Sequence, residues 1–177
     1  MSAPDTVLAA QAGSSEAWAE LYRLATPKLL VYLRARRPLD SSLSEEDLVS
    51  ETWLIAAQRI HEFKGSERAF VSWLFSIATN LLLNSNRKAL RRKTDPTEDF
   101  TLVEGEQWEE DWLAVEELLR LLPEKERTLV VLVDLLGFSN KEAGAQVGMS
   151  AVNVRVTRSR ALKKLRKETS SDLLSPS

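Results

Sequence analysis

The chain has 177 residues, of which 44% are hydrophobic and 28% charged, and this composition supports one or two small folded domains rather than a disordered chain. It contains no cysteine, which excludes disulfides, thiolate metal sites and thiol catalysis and suits a reducing cytoplasm, where we expect the protein to act. No apolar run approaches the roughly 18 residues of a membrane span, and no basic segment precedes an apolar one at the N-terminus, so we expect neither membrane insertion nor an export signal.

The N-terminal part carries two stretches of apolar residues at helical spacing. The first stretch contains Trp18, Leu21, Tyr22, Leu24 and Ala25. The second stretch follows Pro27. Because proline favours the first position of a helix, we expect a separate helix to begin near Pro27 and to end before Pro38.

A third helix is predicted by a strong start signal at Ser44. This serine is a good N-cap, and acids in the first turn favour the positive end of the helix dipole. A loop follows at Phe63 to Ser66. The next helix is strongly amphipathic and ends in five cations within seven residues, from Arg87 to Lys93. Its aromatic side chains are most simply interpreted as core residues.

Charge is segregated along the chain, although the net charge is only −2. Thr94 to Glu117 contains ten acids and no Lys or Arg, whereas Arg155 to Lys167 contains seven cations. Either basic cluster alone is most simply a solvated helix face, but the two together predict phosphate-binding faces. The acidic stretch contains Pro96 and lacks apolar periodicity up to Asp111, which predicts a linker.

The segment from Ser139 to Lys167 predicts a helix-turn-helix. Apolar helical patterns precede it and are broken at Pro123 and Gly137. Ser139 and Glu142 form a capping-box pattern, Gly148 breaks the first helix, and Ser150 begins a second, basic helix. Gly144 lies where the two helices must nearly touch, and only a very small side chain fits there. Two helices joined by a tight glycine turn, the second one basic, are typical of major-groove binding.

The basic helix offers two kinds of DNA contact. Asn153 and Arg155 lie in its first turns, where side chains reach base edges, and they suit adenine and guanine respectively. Amide groups at its start could meet a phosphate. The later cations are expected to contact the DNA backbone or solvent: Lys163, Lys164, Arg166 and Lys167.

On these residues the chain resembles an extracytoplasmic-function (ECF) sigma factor of the sigma-70 class, a promoter-specificity subunit of bacterial RNA polymerase. Region two is carried by EEDLVSETW (45–53) and FKGSERAFVSWLFSIATNLLLNSNRK (63–88), and region four by LPEKERTLVVLVDLLGFSNKEAGAQVGMSAVNVRVTRSRALKKL (122–165). The resemblance implies an all-α fold of two small helical domains. The two domains are region two (1–93, a helical bundle) and region four (112–168, a helix-turn-helix). An acidic flexible linker (94–111) joins them, and a flexible tail (169–177) follows.

The resemblance also implies three sets of site residues. Binding to the beta-prime clamp helices of core polymerase is assigned to Glu45, Glu46, Asp47 and Glu51, although such acids are also simply favourable in the first turns of a helix. The minus-ten element, with a base flipped into the loop 63–68, is assigned to Phe63, Lys64, Ser66, Asn80, Asn84, Arg87 and Lys88. The minus-thirty-five duplex is assigned to Ser150, Asn153, Arg155, Ser159 and Arg160.

The implied partners are core RNA polymerase (the beta-prime clamp helices and the beta flap), promoter DNA and an anti-sigma factor, with no cofactor and no metal. The acidic linker would thread toward the polymerase active centre, or it would serve only as a self-repelling tether. Four residues depart from the family's usual pattern: Ser50, Asn84, Thr157 and Arg158. Of these, Arg158 stands at a usually apolar site, which puts the packing of the basic helix in doubt.

Two other classes of protein are weighed against this one. A simple transcriptional regulator with one DNA-binding domain explains the second half of the chain equally well, but it leaves the pattern from Phe63 to Lys88 unexplained. An enzyme is disfavoured because His61 is the single histidine and no nucleophile is paired with a base.

Overall fold

A computed structural model describes residues 5–36, 43–92, 115 and 117–172. All the regular elements within these residues are helical, so the predicted all-α fold is confirmed. The chain divides into two compact units, Met1–Pro96 and Thr97–Ser177. The acidic segment 94–111 lies outside the described residues, and the boundaries 1–93, 94–111 and 112–168 remain predictions.

Within its described residues, the first unit contains four α-helices. They are α1 (Thr6–Gln11), α2 (Ser15–Arg36), α3 (Glu45–Arg59) and α4 (Glu67–Arg92), with a 3-10 turn (Ile60–Glu62) after α3. Helix α1 was not predicted from the sequence. It begins at Asp5, whose side chain accepts a hydrogen bond from the Val7 amide at 3.2 Å, and it buries Val7 and Ala10.

Pro27 does not begin a helix, contrary to the sequence-based expectation. Helix α2 runs without interruption from Ser15 to Arg36, with Pro27 in its interior. An interior proline removes one backbone hydrogen bond and costs about 3 kcal/mol. Packing on both sides of the proline offsets this cost, because α2 buries residues along its whole length: Ala17, Leu21, Ala25, Leu29, Tyr32, Leu33 and Ala35.

A buried polar contact joins α2 and α4 among the large apolar side chains in the core of the first unit. The hydroxyl groups of Tyr32 and Thr79 lie 2.7 Å apart, and both residues are buried. Arg36 donates to the same tyrosine oxygen at 2.9 Å. A buried hydroxyl needs such partners, so this contact fixes α2 against α4. The surrounding core includes Leu21, Leu29, Leu33, Leu48, Phe70, Leu74, Phe75 and Leu82.

The second unit is also helical. After a short helical stretch at 117–120 come α5 (Glu124–Val130), a π-helical segment (Val131–Leu135), α6 (Asn140–Val147) and α7 (Ala151–Asp172). The breaks expected at Pro123 and Gly137 are found, and Gly137 has a φ of 75°. Apolar side chains from all these elements form its core: Leu119, Leu122, Leu129, Val130, Val131, Leu132, Phe138, Ala143, Val154 and Ala161.

The predicted N-cap at Ser44 and the predicted capping box at Ser139 are both present, and Ser44 is also part of a capping box. Ser44 and Asp47 exchange hydrogen bonds of 3.0 Å at the start of α3, and Ser139 and Glu142 exchange hydrogen bonds of 2.8 and 3.2 Å at the start of α6. These reciprocal bonds satisfy amide groups that a helix start leaves without partners.

Helix α7 continues to Asp172, into the segment 169–177 that the sequence analysis expects to be a flexible tail. The hydroxyl of Thr169 donates to the Leu165 carbonyl at 2.6 Å, and that of Ser170 donates to the Arg166 carbonyl at 2.8 Å. Hydroxyl groups bonded back to the preceding turn are compatible with a helix, so the serines and threonine do not end it. Residues 173–177 lie outside the described residues.

Candidate nucleic-acid and protein interfaces

The turn between α6 and α7 seats the basic helix closely against its partner. Gly148 adopts the left-handed conformation, with φ 69° and ψ 40°, which glycine tolerates and which ends α6. A Cβ atom at Gly144 would collide with the carbonyl oxygen of Met149 and lie 3.3 Å from the Val154 Cγ2 atom. The predicted close approach at Gly144 is therefore present, and it explains why this position is glycine.

The start of α7 is capped by Ser150, whose hydroxyl accepts a hydrogen bond from the Asn153 amide at 3.2 Å. One of the first-turn amides proposed for phosphate binding is therefore already satisfied. Val154 and Ala161 face the core and are fully buried. The remaining residues assigned to the minus-thirty-five duplex are all exposed on this helix: Asn153, Arg155, Ser159 and Arg160.

Arg158 is held by an ion pair and does not disturb the packing of α7. Its guanidinium donates two hydrogen bonds to the Asp134 carboxylate, of 2.7 and 2.5 Å. These bonds raise the pKa of Arg158. Asp134 lies in the π-helical segment that follows α5, so this pair joins two elements of the unit. The polar side chain at a usually apolar site is thus compensated by an acid opposite.

Lys164 is exposed, as expected, but it lies in an ion pair that the sequence analysis did not predict. Its ammonium group lies 2.8 Å from both carboxylate oxygens of Glu126 in α5. The other cations of α7 that the sequence singles out have no ion-pair partner among the described residues: Arg155, Arg160, Lys163, Arg166 and Lys167. Five of the seven cations therefore remain available to phosphates.

Helix α4 presents the polar residues that were assigned to the minus-ten element. Asn80, Asn84, Arg87 and Lys88 are all exposed. At about 100° per residue they occupy one side of the helix, so the structure brings them together as a single stripe. The opposite side of α4 is buried in the core through Ala78, Leu82 and Ala89.

The loop before α4 is fixed at its start by an aromatic side chain. The half-buried Phe63 ring lies 5.6 Å from Phe70 and 5.2 Å from Trp73, measured between ring centroids. A Cβ atom on Gly65 would lie 3.0 Å from the Phe63 ring, so the loop folds tightly over it. Lys64 and Ser66 are exposed beside this support. Phe63 thus anchors the loop, while its neighbours face outward.

Gln11 is a contributor to this loop that the sequence analysis missed. Its side-chain amide donates to the carbonyls of Ile60 at 2.7 Å and Phe63 at 2.8 Å. Both acceptors lie beyond the end of α3, where carbonyl groups lose their helical partners. No sequence signal reveals this contact, because the donor is 49 and 52 residues away from its acceptors.

The four acids assigned to polymerase binding are placed differently from one another. Glu46 lies 3.5 Å from Arg34 of α2, and Asp47 belongs to the capping box. Asp47 and Glu51 are exposed and one turn apart, so they share a side of α3, whereas Glu45 is half-buried. Asp47 and Glu51 therefore form the acidic edge of the exposed face of α3.

Beside this acidic edge lies an apolar groove between α2 and α3, which we call the Trp53 groove. It has a volume of about 490 Å³ and is lined by Trp18, Ala19, Tyr22, Ser50, Trp53, Leu54 and Ala57. Tyr22 is 50% exposed and Leu54 is 60% exposed, although Tyr22 belongs to a stretch of apolar residues at helical spacing. Helical spacing cannot distinguish residues at the rim of a groove from residues on a buried face, because both sets repeat with the same helical period.

Within the residues that the structure describes, no helix is both long and apolar enough to span a membrane. The same residues contain no group of three or more histidine, aspartate or glutamate side chains that could hold a metal ion.

The sequence matches two family descriptions, Sigma-70 region 2 over residues 15–93 and Sigma-70, region 4 over residues 112–165. The ECF RNA polymerase sigma factor SigD of Mycobacterium tuberculosis is 31% identical over 179 residues, covering 93% of this chain and 82% of that protein. The ECF sigma factor SigF of Caulobacter vibrioides is 35% identical over 149 residues, covering 81% and 83% respectively.

Two solved structures share the fold. One is the sigma factor RpoE in complex with the anti-sigma factor NepR from Bartonella quintana, with a TM-score of 0.66, 23% identity and coverage of 87% of this chain and 96% of that one. The other is CnrH in complex with the cytosolic domain of CnrY, with a TM-score of 0.64, 24% identity and coverage of 95% and 98%.

The helical units and the two matched regions define a sigma-70-class transcription factor. With relatives at 31% and 35% identity over most of its length, the chain belongs to the ECF family of RNA polymerase sigma factors. It associates with core RNA polymerase and directs promoter recognition at the start of transcription. The predicted family is therefore confirmed.

Proposed function

We propose that promoter recognition is divided between α7 and the α4 stripe with its preceding loop. Helix α7 would read the minus-thirty-five element as duplex DNA, with Asn153 and Arg155 at base edges. The α4 stripe would follow the melted strand of the minus-ten element, with a base flipped into the loop beside Lys64 and Ser66. The observation that supports this division best is the seating of α7 by Gly144, which leaves its unpaired cations facing outward.

We propose that core polymerase binds the Trp53 groove together with its acidic edge. An apolar partner surface such as a clamp helix would cover Tyr22 and Leu54, which are large exposed apolar side chains. Asp47 and Glu51 would meet cations at the rim of that contact. Glu46 and Glu45 would contribute less, because one is paired with Arg34 and the other is half-buried.

The acidic segment 94–111 is proposed to connect regions 1–93 and 112–168, and its negative charge supports a path along the nucleic-acid channel of the polymerase. A plain tether is the alternative. We further propose that the chain acts in the cytoplasm and is not itself a catalyst, as expected of a sigma factor. An anti-sigma factor is a proposed additional partner, because RpoE, a structure with the same fold, is bound to one.

The DNA-binding proposal is tested by reconstituted transcription from a pooled promoter library, using core polymerase and the full chain. Replacing Arg155 with alanine should cost about 1–3 kcal/mol and relax selection at one base pair. Replacing Lys167 with alanine serves as the comparison, because a phosphate contact should weaken all promoters alike. Unchanged discrimination by the Arg155 variant would contradict the placement of α7 in the major groove.

The polymerase-binding proposal is tested by competition for core polymerase in the absence of DNA. Leu54→Ala and Glu51→Gln should each weaken binding, whereas Asp47 is a poorer choice because its replacement also removes a helix cap. The matched controls are Leu8→Ala and Glu168→Gln, which alter exposed residues of the same types elsewhere. Equal loss in variants and controls would exclude the Trp53 groove as the binding surface.

A further inference from the structure

Two valines that the sequence analysis did not single out lie at the centre of the outer face of α7. Val152 is 65% exposed and Val156 is 41% exposed. At about 100° per residue they project within roughly 40° of each other, and on the side opposite the buried Val154 and Ala161. The most outward-facing residues of the first two turns are therefore apolar, on a helix that is otherwise polar on that side.

Polar and cationic side chains flank the two valines. By the same helical geometry, Asn153 and Arg160 lie to one side, while Arg155 and Ser159 lie to the other. No Asp or Glu occurs between Ala151 and Lys167. An apolar strip bordered by unpaired cations is complementary to duplex DNA, which has anionic phosphates and apolar groups in its major groove. It is not complementary to an apolar groove on a protein.

We propose that Val152 and Val156 contact thymine C5-methyl groups in the major groove of the upstream promoter element. This inference rests on the proposed role of α7 as the helix that reads duplex DNA. A valine side chain has no hydrogen-bond donor or acceptor, so it cannot read the polar edge of a base. The thymine methyl is the apolar group that the major groove presents, and small apolar side chains contact it.

The contact would add a specificity that arginine and asparagine do not supply. Arg155 and Asn153 distinguish bases by hydrogen bonds, whereas the valines would favour thymine at neighbouring positions by removing its methyl group from water. Because the two valines are one turn apart, they would read positions that are close together along the groove.

The test uses holoenzyme formed from core polymerase and the full chain. Duplexes with a randomised upstream element are first selected for binding and sequenced. Each thymine of the selected element is then replaced, one at a time, by deoxyuridine, which removes only the methyl group. We expect binding to weaken about three- to fivefold at one or two positions, the scale expected for burial of one methyl-sized group.

The variants Val152→Ala and Val156→Ala should bind the thymine-containing duplex more weakly by a similar factor. Each should also lose its sensitivity to deoxyuridine at one position. Both valines are exposed, so both variants should fold, and thermal unfolding checks this. Leu8→Ala, which alters another exposed apolar residue, and Arg155→Ala should both retain the full response to deoxyuridine.

Indifference of the native holoenzyme to every deoxyuridine replacement would overturn the inference while leaving promoter selection intact. Full sensitivity in both valine variants would overturn it equally. A holoenzyme that selects no upstream sequence at all would instead refute the proposed role of α7, and the valine contact with it.

Discussion

The ion pair between Arg158 and Asp134 should be required for the stability of the second unit. The substitution Asp134→Asn keeps the shape of the side chain but removes its charge. Arg158 would then retain at most one good acceptor in place of a bidentate carboxylate. The connection between α7 and the π-helical segment would therefore weaken, although no apolar contact has been removed.

The magnitude follows from the partial burial of the pair. The two side chains are 28% and 26% exposed, so they are neither fully solvated nor fully desolvated. Exposed pairs contribute about 0.2–1 kcal/mol, whereas breaking a fully buried pair costs about 3–5 kcal/mol. We therefore expect Asp134→Asn to lower the free energy of unfolding of this unit by about 1–2 kcal/mol, between those limits.

The assay is a double-mutant cycle with Asp134→Asn, Arg158→Met and the combined variant, in the full chain. Hydrogen-exchange mass spectrometry follows the amides of α5, α6 and α7, so that opening of the second unit is measured separately. The combined variant should lose less unfolding free energy than the two single variants lose together, because neither charge is then left unpaired.

A coupling free energy within the usual scatter of additive mutations, about 0.3–0.5 kcal/mol, would refute this reasoning.

The pKa of Arg158 is raised in the folded state, so the stabilisation by its ion pair is present below the ordinary arginine pKa. This stabilisation is lost only as pH rises through the folded-state pKa. Loss of the coupling between pH 7 and 9 would therefore also contradict the assignment.

Three further predictions test other contacts. Gly144→Ala should destabilise the second unit by about 1–3 kcal/mol, because its methyl group collides with the Met149 carbonyl; denaturant unfolding measures this. Gln11→Ala should lower the stability of the first unit by about 1–3 kcal/mol, since the Phe63 carbonyl loses its side-chain donor and the Ile60 carbonyl keeps only the Phe63 amide; thermal unfolding measures this. Lys167→Ala should reduce the salt dependence of promoter binding by about 0.9 in log–log slope, whereas Lys164→Ala should not.

Matched controls separate these effects from general damage. Ala145→Ser, at an exposed neighbour in α6, should leave the stability of the second unit unchanged. Gln58→Ala, at an exposed glutamine in α3, should leave the first unit unchanged. If the salt dependence of promoter binding has the same slope for the two lysine variants, the ion pair with Glu126 does not prevent Lys164 from contacting DNA.

The sequence predicts the local elements of this protein well, because their signals are short in range. The capping boxes at Ser44 and Ser139 are fixed by residues three positions apart, and Gly148 is fixed by the backbone angle that it must adopt. Even the close approach at Gly144 follows from its place between two helices joined by a tight turn.

The sequence does not predict contacts that join distant segments. The bonds from Gln11 to the loop, and the pairs that occupy Arg158 and Lys164, depend on where separate helices come to lie. Pro27 misleads for the same reason, because tertiary packing outweighs its local preference to begin a helix. The exposure of Tyr22 was not predicted, because apolar period alone does not say which side of a helix is covered.

The run of aromatic rings in the first unit has a practical consequence for measurement. Trp53 lies 6.4 Å from Trp18 and 5.2 Å from Tyr22, measured between ring centroids, and both neighbours help to line the Trp53 groove. A partner that covers this groove excludes water from indole rings whose fluorescence responds to polarity. If core polymerase covers this groove, as proposed, its binding should change the intrinsic emission of these rings, without an attached dye.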